Sequence, residues 1–165
     1  MVLDALFQIW RRMSGYYQWW FLWLVSSKVM LCVAGVVIDD RGQVLLQRHR
    51  HWVKDVWGLP GGIVHRGEVL EKALAREVFE ETGLAISDIE FVRLGSGHKL
   101  RLEVYYRARL APAGQPLQIR LQTQEVLEAR FFPTNQLPSN IFSLQREVIQ
   151  QSVVNLQKAG SMVNG

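Results

Sequence analysis

Glu77, Glu80 and Glu81 stand at i, i+3 and i+4, so a helix would carry all three within an arc of about 100° on one face. Three like charges that close repel one another, and a packed helix gains nothing from gathering them without a cation. Carboxylate oxygens on one face suit Mg²⁺ or Mn²⁺, which bind a few such ligands and complete their shell with water and phosphate oxygens. Glu68 lies upstream, and Arg76, next to the cluster, could hold Glu68 or another carboxylate in place. Gly61 and Gly62 would let main-chain carbonyls approach a metal or a substrate without side-chain obstruction.

The elements that must position these residues read as follows. A helix is expected from Glu68 to Thr82, ended by Gly83 in a left-handed conformation, with Glu68 and Glu71 at the positive end of its dipole. Ala75, Val78 and Phe79 are expected to anchor it. Upstream, the β-branched run from Met30 to Ile38, the turn Asp39-Asp40-Arg41-Gly42 and the returning run from Gln43 to His49 predict a hairpin. Further strands are expected near Ile89–Leu94, Leu100–Leu110 and Glu125–Phe132, the second placing Leu102, Val104, Tyr106 and Ala108 opposite Arg101, Glu103, Tyr105 and Arg107. Ala111–Gln115 reads as a turn-rich loop, and Ser139–Lys158 as an amphipathic helix closed by Gly160. Strands, a helix, more strands and a final helix imply a mixed sheet covered by helices, an α/β (α+β) fold.

Written out, the central segment is Gly62-x5-Glu68-x7-Arg76-Glu77-Val78-Phe79-Glu80-Glu81-Thr82-Gly83-Leu84. At every defined position it resembles the Nudix box, G-x5-E-x7-R-E-U-x-E-E-x-G-U with U aliphatic, and Trp57-Gly58-Leu59-Pro60-Gly61 is similar to the family's approach to that box. The resemblance is sharp over residues 57–84 and looser over roughly 28–138. It implies an α/β/α sandwich that hydrolyses the diphosphate linkage of a nucleoside diphosphate joined to another group, by attack of water on phosphorus with Mg²⁺ or Mn²⁺. It implies Glu77 and Glu81 as the principal metal ligands, Glu80 as a ligand or base, the Gly62 carbonyl and Glu68 as further ligands, and Arg76 as the orienting residue. The general base would be a box glutamate or one on a later loop. Glu125 and Glu128 are the candidates there; either could instead be a simple strand-edge charge, the reading favoured for Glu128. Two alternatives remain: a pyrophosphohydrolase of RNA 5′ ends, and a Nudix-like module that senses a nucleotide without cleaving it.

For the substrate, Arg48, His49, Arg50, His51 and Lys54 crowd the stretch before the box, and Trp52 offers a face on which a base could stack. His98 and Lys99 make a weaker case. Coenzyme A, dinucleoside-polyphosphate and NADH signatures of the family are absent, as is the downstream proline of many ADP-ribose hydrolases.

The chain carries 19 Lys and Arg against 15 Asp and Glu, and five of those acids lie in the box, leaving the rest distinctly basic. Such a field favours anionic substrates, nucleic acid or acidic lipid, although nothing predicts a DNA partner. At 165 residues the chain fits one domain, and its apolar content is that of a folded protein. Cys32, the lone cysteine, excludes an internal disulfide and reads as core; a cytoplasmic location is expected. Residues 1–27 stand apart as an aromatic-rich helical extension ahead of a domain over 28–160, with Trp10, Trp19, Trp20 and Trp23 and the pair Arg11-Arg12. The apolar run from Tyr16 to Val25 is too short for a transmembrane helix and too bulky for a good secretion leader. A helix packed on the domain or on a second subunit is the leading expectation, the latter allowing a homodimer, and peripheral contact with a membrane surface is the other.

Overall fold

β1 (Met30–Ile38) is β-branched and apolar along nearly its whole length, and it is buried on both faces. Val33 and Val37 point into one core, and Ala34, Val36 and Ile38 into another. In this computed structural model, which describes residues 2–96, 100–112 and 118–163, the rest of the sheet grows outward from that strand. β2 (Gln43–His49), β3 (Gly61–Ile63), β4 (Ile86–Ser96), β5 (Arg101–Leu110) and β6 (Val126–Pro133) complete it. The order is β4-β5-β1-β2-β6, with β3 also on β1. β5 runs parallel to β1 over its full length, from Met30↔Arg101 to Ile38↔Arg109, while the other pairings are antiparallel.

The second edge of β1 is shared. At its C-terminal end Ile38 faces Val44 of β2, and at its N-terminal end Cys32, Val33 and Ala34 face Ile63, Gly62 and Gly61 of β3. The expected hairpin therefore closes at its turn, where Asp39 Oδ1 accepts from the backbone N–H of Arg41 and Gln43. Its strands then diverge, because β2 takes β6 as its main partner.

α3 (Leu70–Thr82) covers one face of the sheet through Ala73, Leu74 and Val78, and α4 (Ser143–Val163) covers the other through Val148 and Ile149. This is the expected sandwich, and the alternation on β5 is as expected, with Val104, Tyr106 and Ala108 in the α3 core and Tyr105 in the α4 core. Gly35 allows close approach: a Cβ there would lie 2.9 Å from a methyl of Leu74. α3 ends at Gly83, left-handed at φ 72°, whose N–H donates to the Phe79 carbonyl.

Several expectations need correction. α3 starts at Leu70 rather than Glu68, since the Glu68 carboxylate turns back to accept the His65 N–H. Phe79 is half-exposed and does not anchor the helix; one residue beyond Val78, it lies about 100° round from the core face. α4 starts at Ser143 rather than Ser139 and continues past Gly160 to Val163. The loop expected at Ala111–Gln115 falls largely outside the described residues, as do His98 and Lys99.

The N-terminal segment forms two helices, α1 (Val2–Arg12) and α2 (Gly15–Val25), separated at Met13 and Ser14. Trp10 meets Phe21 edge to face at 5.7 Å, and Gln18 Nε2 donates to the Trp10 carbonyl at 2.6 Å. No side chain of α2 is buried, so within this chain α2 is not packed on the domain. No helix among the described residues is long and apolar enough to cross a membrane.

Candidate active site

The register of β3 on β1 places Gly61 and Gly62 against the glutamate face of α3. The Gly61 N–H donates to Glu81 Oε2 at 3.2 Å. A Cβ built on Gly62 would lie 2.4 Å from the Glu77 carboxylate, so that carboxylate lies directly on the Gly62 backbone. Gly61, at φ 149°, is held between β1 and the box, where a Cβ would meet the Val33 carbonyl oxygen at 2.1 Å.

Arg76 uses every N–H of its guanidinium. Nε donates to Glu68 Oε1 at 2.9 Å and Nη2 to Glu68 Oε2 at 3.0 Å, a two-point grip, while the second Nη2 bond goes to the Ile63 carbonyl at 3.2 Å. Nη1 donates to Glu77 Oε1 at 2.8 Å and to Glu80 Oε2 at 3.1 Å. The Arg76 hydrogen bonds, then that from the His65 N–H, hold the Glu68 carboxyl down at about 2. Glu77 moves the other way: burial raises it despite Arg76, and the charges of Glu81 and Glu80 push in the same direction. Glu81, buried, pairs with His49 Nε2 at 3.0 Å, and His49 stacks on Trp52 with ring centres 4.3 Å apart.

Four carboxylates against Arg76 leave a formal charge of −3 with His49 neutral. Among the described residues no three ligating side chains already converge on one point, because these carboxylates are turned to Arg76 and His49. Excess negative charge, hard oxygen donors and a side-chain-free strand against Glu77 nevertheless fit a divalent cation.

The sequence matches the NUDIX domain profile over residues 28–152, which spans both halves of this site. The chain belongs to the NUDIX domain family. Within that family it is 31% identical over 126 residues to the ADP-ribose pyrophosphatase of Methanocaldococcus jannaschii, covering 70% of this chain and 69% of that one. It is 29% identical over 132 residues to Nudix hydrolase 7 of Arabidopsis thaliana, covering 76% of this chain and 46% of the relative. The chain thus spans between about a third and a half of the length of several curated relatives it matches. Among solved structures, the NUDIX domain of Shewanella oneidensis NrtR, complexed with ADP ribose, superposes with a TM-score of 0.70 at 21% identity, covering 87% of this chain and 99% of that one.

The residues expected to meet substrate divide by position around this NUDIX box. Trp52 stands beside it through His49, packs edge-on against Phe142 and crowds Gly58. Arg48 does not join the glutamates: it points to the α4 side, lies over the Trp57 ring and pairs with Asp55 and Glu128. Arg50 donates from Nε to the Gln124 carbonyl and from its backbone to the Glu125 carbonyl. Lys54 and the side chain of Glu125 are exposed. Glu128, where burial acts to raise the carboxyl, is lowered on balance by hydrogen bonds from Arg130 and Arg48, as suits a strand-edge ion pair.

Two features escape a reading of the sequence alone. One is the His49–Glu81 pair, which joins residues 32 positions apart. The other is a cavity of about 900 Å³ on the α4 side, bounded by Trp52, Arg101, Glu103, Tyr105 and Phe142. Tyr105 Oη donates to Glu103 Oε2 at 2.6 Å and Arg101 Nη2 to Glu103 Oε1 at 2.8 Å, fixing a buried carboxylate in its wall. Cys32, its thiol pushed up by burial, lies opposite Glu103 of this wall on one side and opposite Ile63 of β3 on the other, so β1 links the two regions. The available signal was Glu103 alternating between Leu102 and Val104 on a strand buried on both faces.

Proposed function

We propose that this chain hydrolyses the diphosphate linkage of a nucleoside diphosphate derivative by attack of water on phosphorus, with Mg²⁺ or Mn²⁺. The observation that carries the reading is the seating of Glu77 and Glu81 against the bare Gly61–Gly62 strand, with Arg76 fastening Glu68, Glu77 and Glu80. Glu77 and Glu81, with Glu68, Glu80 and the Gly62 carbonyl, are the residues that would hold the cation. When bound, the cation neutralises phosphate charge, acidifies a water and braces the leaving oxygen.

The chain's own residues do the rest. Arg76 sets the directions of three carboxylates, and its fork keeps them from drifting into solvent. Glu80, half-exposed and tied only through Arg76 Nη1 among the described hydrogen bonds, is best placed to accept a proton from an incoming water. Trp52 and the adjoining cavity offer the nucleoside an aromatic face beside the box.

ADP-ribose is the first substrate to test, because a relative aligned over two-thirds of its length carries that activity in its name. The test is a screen of nucleoside diphosphate derivatives with Mg²⁺ and with Mn²⁺, identifying both products. Cation-dependent release of a nucleoside monophosphate is expected and should disappear in Glu77→Gln and Glu80→Gln. Undiminished turnover in both variants would sink the assignment, and tight binding without product would favour a nucleotide-sensing module.

A further inference from the structure

We propose that α1 and α2 form a docking surface for an anionic lipid bilayer, holding the NUDIX domain against the membrane. α2 reads Gly-Tyr-Tyr-Gln-Trp-Trp-Phe-Leu-Trp-Leu-Val, and not one of its side chains is buried. Trp19, Trp20, Phe21, Leu22, Trp23 and Leu24 are each about half to two-thirds exposed. At 100° per residue those positions cover the whole circumference of the helix. Its single amide, Gln18, is turned inward onto the Trp10 carbonyl. The outer surface is therefore aromatic and aliphatic all round, with Tyr and Trp as the types that favour the boundary between headgroups and acyl chains. α1 adds an open apolar trough of about 460 Å³, walled by Leu3, Leu6, Phe7, Trp10, Met13 and Phe21.

Length and charge select the occupant. Eleven residues of helix extend about 16 Å, half of a bilayer core, so α2 lies in the interface and does not span. Arg11 and Arg12 are exposed at the end of α1, and the Lys28 ammonium sits 4.5 Å from the Trp23 ring centre. Asp4 is the one acid among residues 1–30, which leaves a net charge of +2 from these side chains. An acidic headgroup layer complements that charge. A second copy would instead bring a second set of Arg11, Arg12 and Lys28 into the interface with only a second Asp4 to offset them, and one flat interface would cover only one side of α2. Apolar surface on every side is suited by immersion, which a bilayer interface supplies.

The test is co-sedimentation of the full chain with vesicles of phosphatidylcholine alone and of equimolar phosphatidylcholine and phosphatidylglycerol, alongside size-exclusion chromatography. Stronger pelleting with the anionic vesicles is expected, weakening as salt rises. Arg11→Gln with Arg12→Gln should lower partitioning onto anionic vesicles by about thirtyfold, as expected for two surface cations, and change the neutral case little. Trp19→Ser with Trp23→Ser should lower both by tenfold or more. These side chains are exposed, and far-ultraviolet circular dichroism checks that the variants remain folded. A chain that stays in the supernatant with both vesicle types overturns the proposal. So does pelleting unchanged by both double variants, or a dimer that Trp19→Ser with Trp23→Ser dissociates in a chain that ignores vesicles.

Discussion

Gly61 and Gly62 are neighbours in sequence, and replacing each by alanine should give opposite results. At Gly62 the backbone is one that alanine adopts freely, and the new methyl would meet the end of a side chain, the Glu77 carboxylate, at 2.4 Å. To restore an ordinary 3.4 Å contact the carboxylate must withdraw by 1.0 Å (3.4 − 2.4). Glu77 can do so by rotating, so the fold loses little. The change should stay within about 1 kcal/mol, since restricting the unfolded chain offsets part of the disturbance to the Arg76 bond. A misplacement of about 1 Å at a reacting centre, however, costs on the order of 10²-fold in rate. At Gly61 the new methyl would strike main chain, 2.1 Å from the Val33 oxygen and 2.8 Å from Ala34 Cα, at a φ of 149° that only glycine adopts comfortably. Neither obstacle can rotate away, and about 3 kcal/mol or more of stability should be lost. Urea unfolding in EDTA, Mn²⁺ titration by electron paramagnetic resonance and turnover of the nucleoside diphosphate derivative identified by the substrate screen together separate the two effects. Gly62→Ala should unfold near wild type yet bind Mn²⁺ and turn over far more weakly. Near-wild-type turnover by Gly62→Ala, or a stability loss as large as that of Gly61→Ala, would refute the reasoning.

Glu77→Gln should stabilise the cation-free protein at neutral pH by several tenths of a kcal/mol, by removing a partly buried charge beside Glu80 and Glu81. Because burial raises Glu77 above its ordinary 4.5, the folded state opposes its ionisation, so wild-type stability falls as pH rises through that interval. The advantage of the variant in thermal melts should accordingly vanish below about pH 4.5 and grow above it. Glu68 has the opposite sign: its contribution is present above the unfolded value of 4.5 and is lost as pH falls toward about 2. Arg76→Lys keeps the charge but cannot grip Glu68 at two points while reaching Glu77 and Glu80, so Mn²⁺ affinity should fall about 10- to 100-fold. Unchanged affinity would show that charge alone suffices. Tyr105→Phe removes the 2.6 Å bond to buried Glu103 and should cost about 1–3 kcal/mol in urea unfolding, whereas a gain would contradict its structural role.

The parts of the fold legible in the sequence are those whose signal is local. β1 and β2 occupy the spans expected from the β-branched run at Met30–Ile38 and its return over Gln43–His49, because Asp39 to Gly42 marks the turn by composition alone. β3 has no such signal. It is three residues, two of them glycine, and becomes a strand only because Cys32, Val33 and Ala34 supply its partners. The same holds within the site. Spacing alone places Glu77, Glu80 and Glu81 on one helix face, and the neighbouring Arg76 is a natural orienter. Arg48 looks as basic and as near the box as His49, yet strand alternation sends Arg48 to Trp57 and His49 to Glu81. The N-terminal segment reads as an aromatic-rich helical extension, and Met13 with Ser14 divides it in two.

The pairing of charges explains why one helix can hold so many acids. Glu77 and Glu80 are tied by Arg76 of the same helix, which also grips Glu68 in the segment before it, whereas Glu81 is tied by His49, which belongs to the sheet. The helix itself is seated by Ala73, Leu74 and Val78, all fully buried, so its position does not depend on the carboxylates. A cation bound as proposed would compete for oxygens that Arg76 and His49 already hold, and its affinity would reflect the difference between the two sets of contacts. On the proposed reading the site would exchange its cation while the scaffold stays folded, unlike a structural metal centre whose ligands are the core.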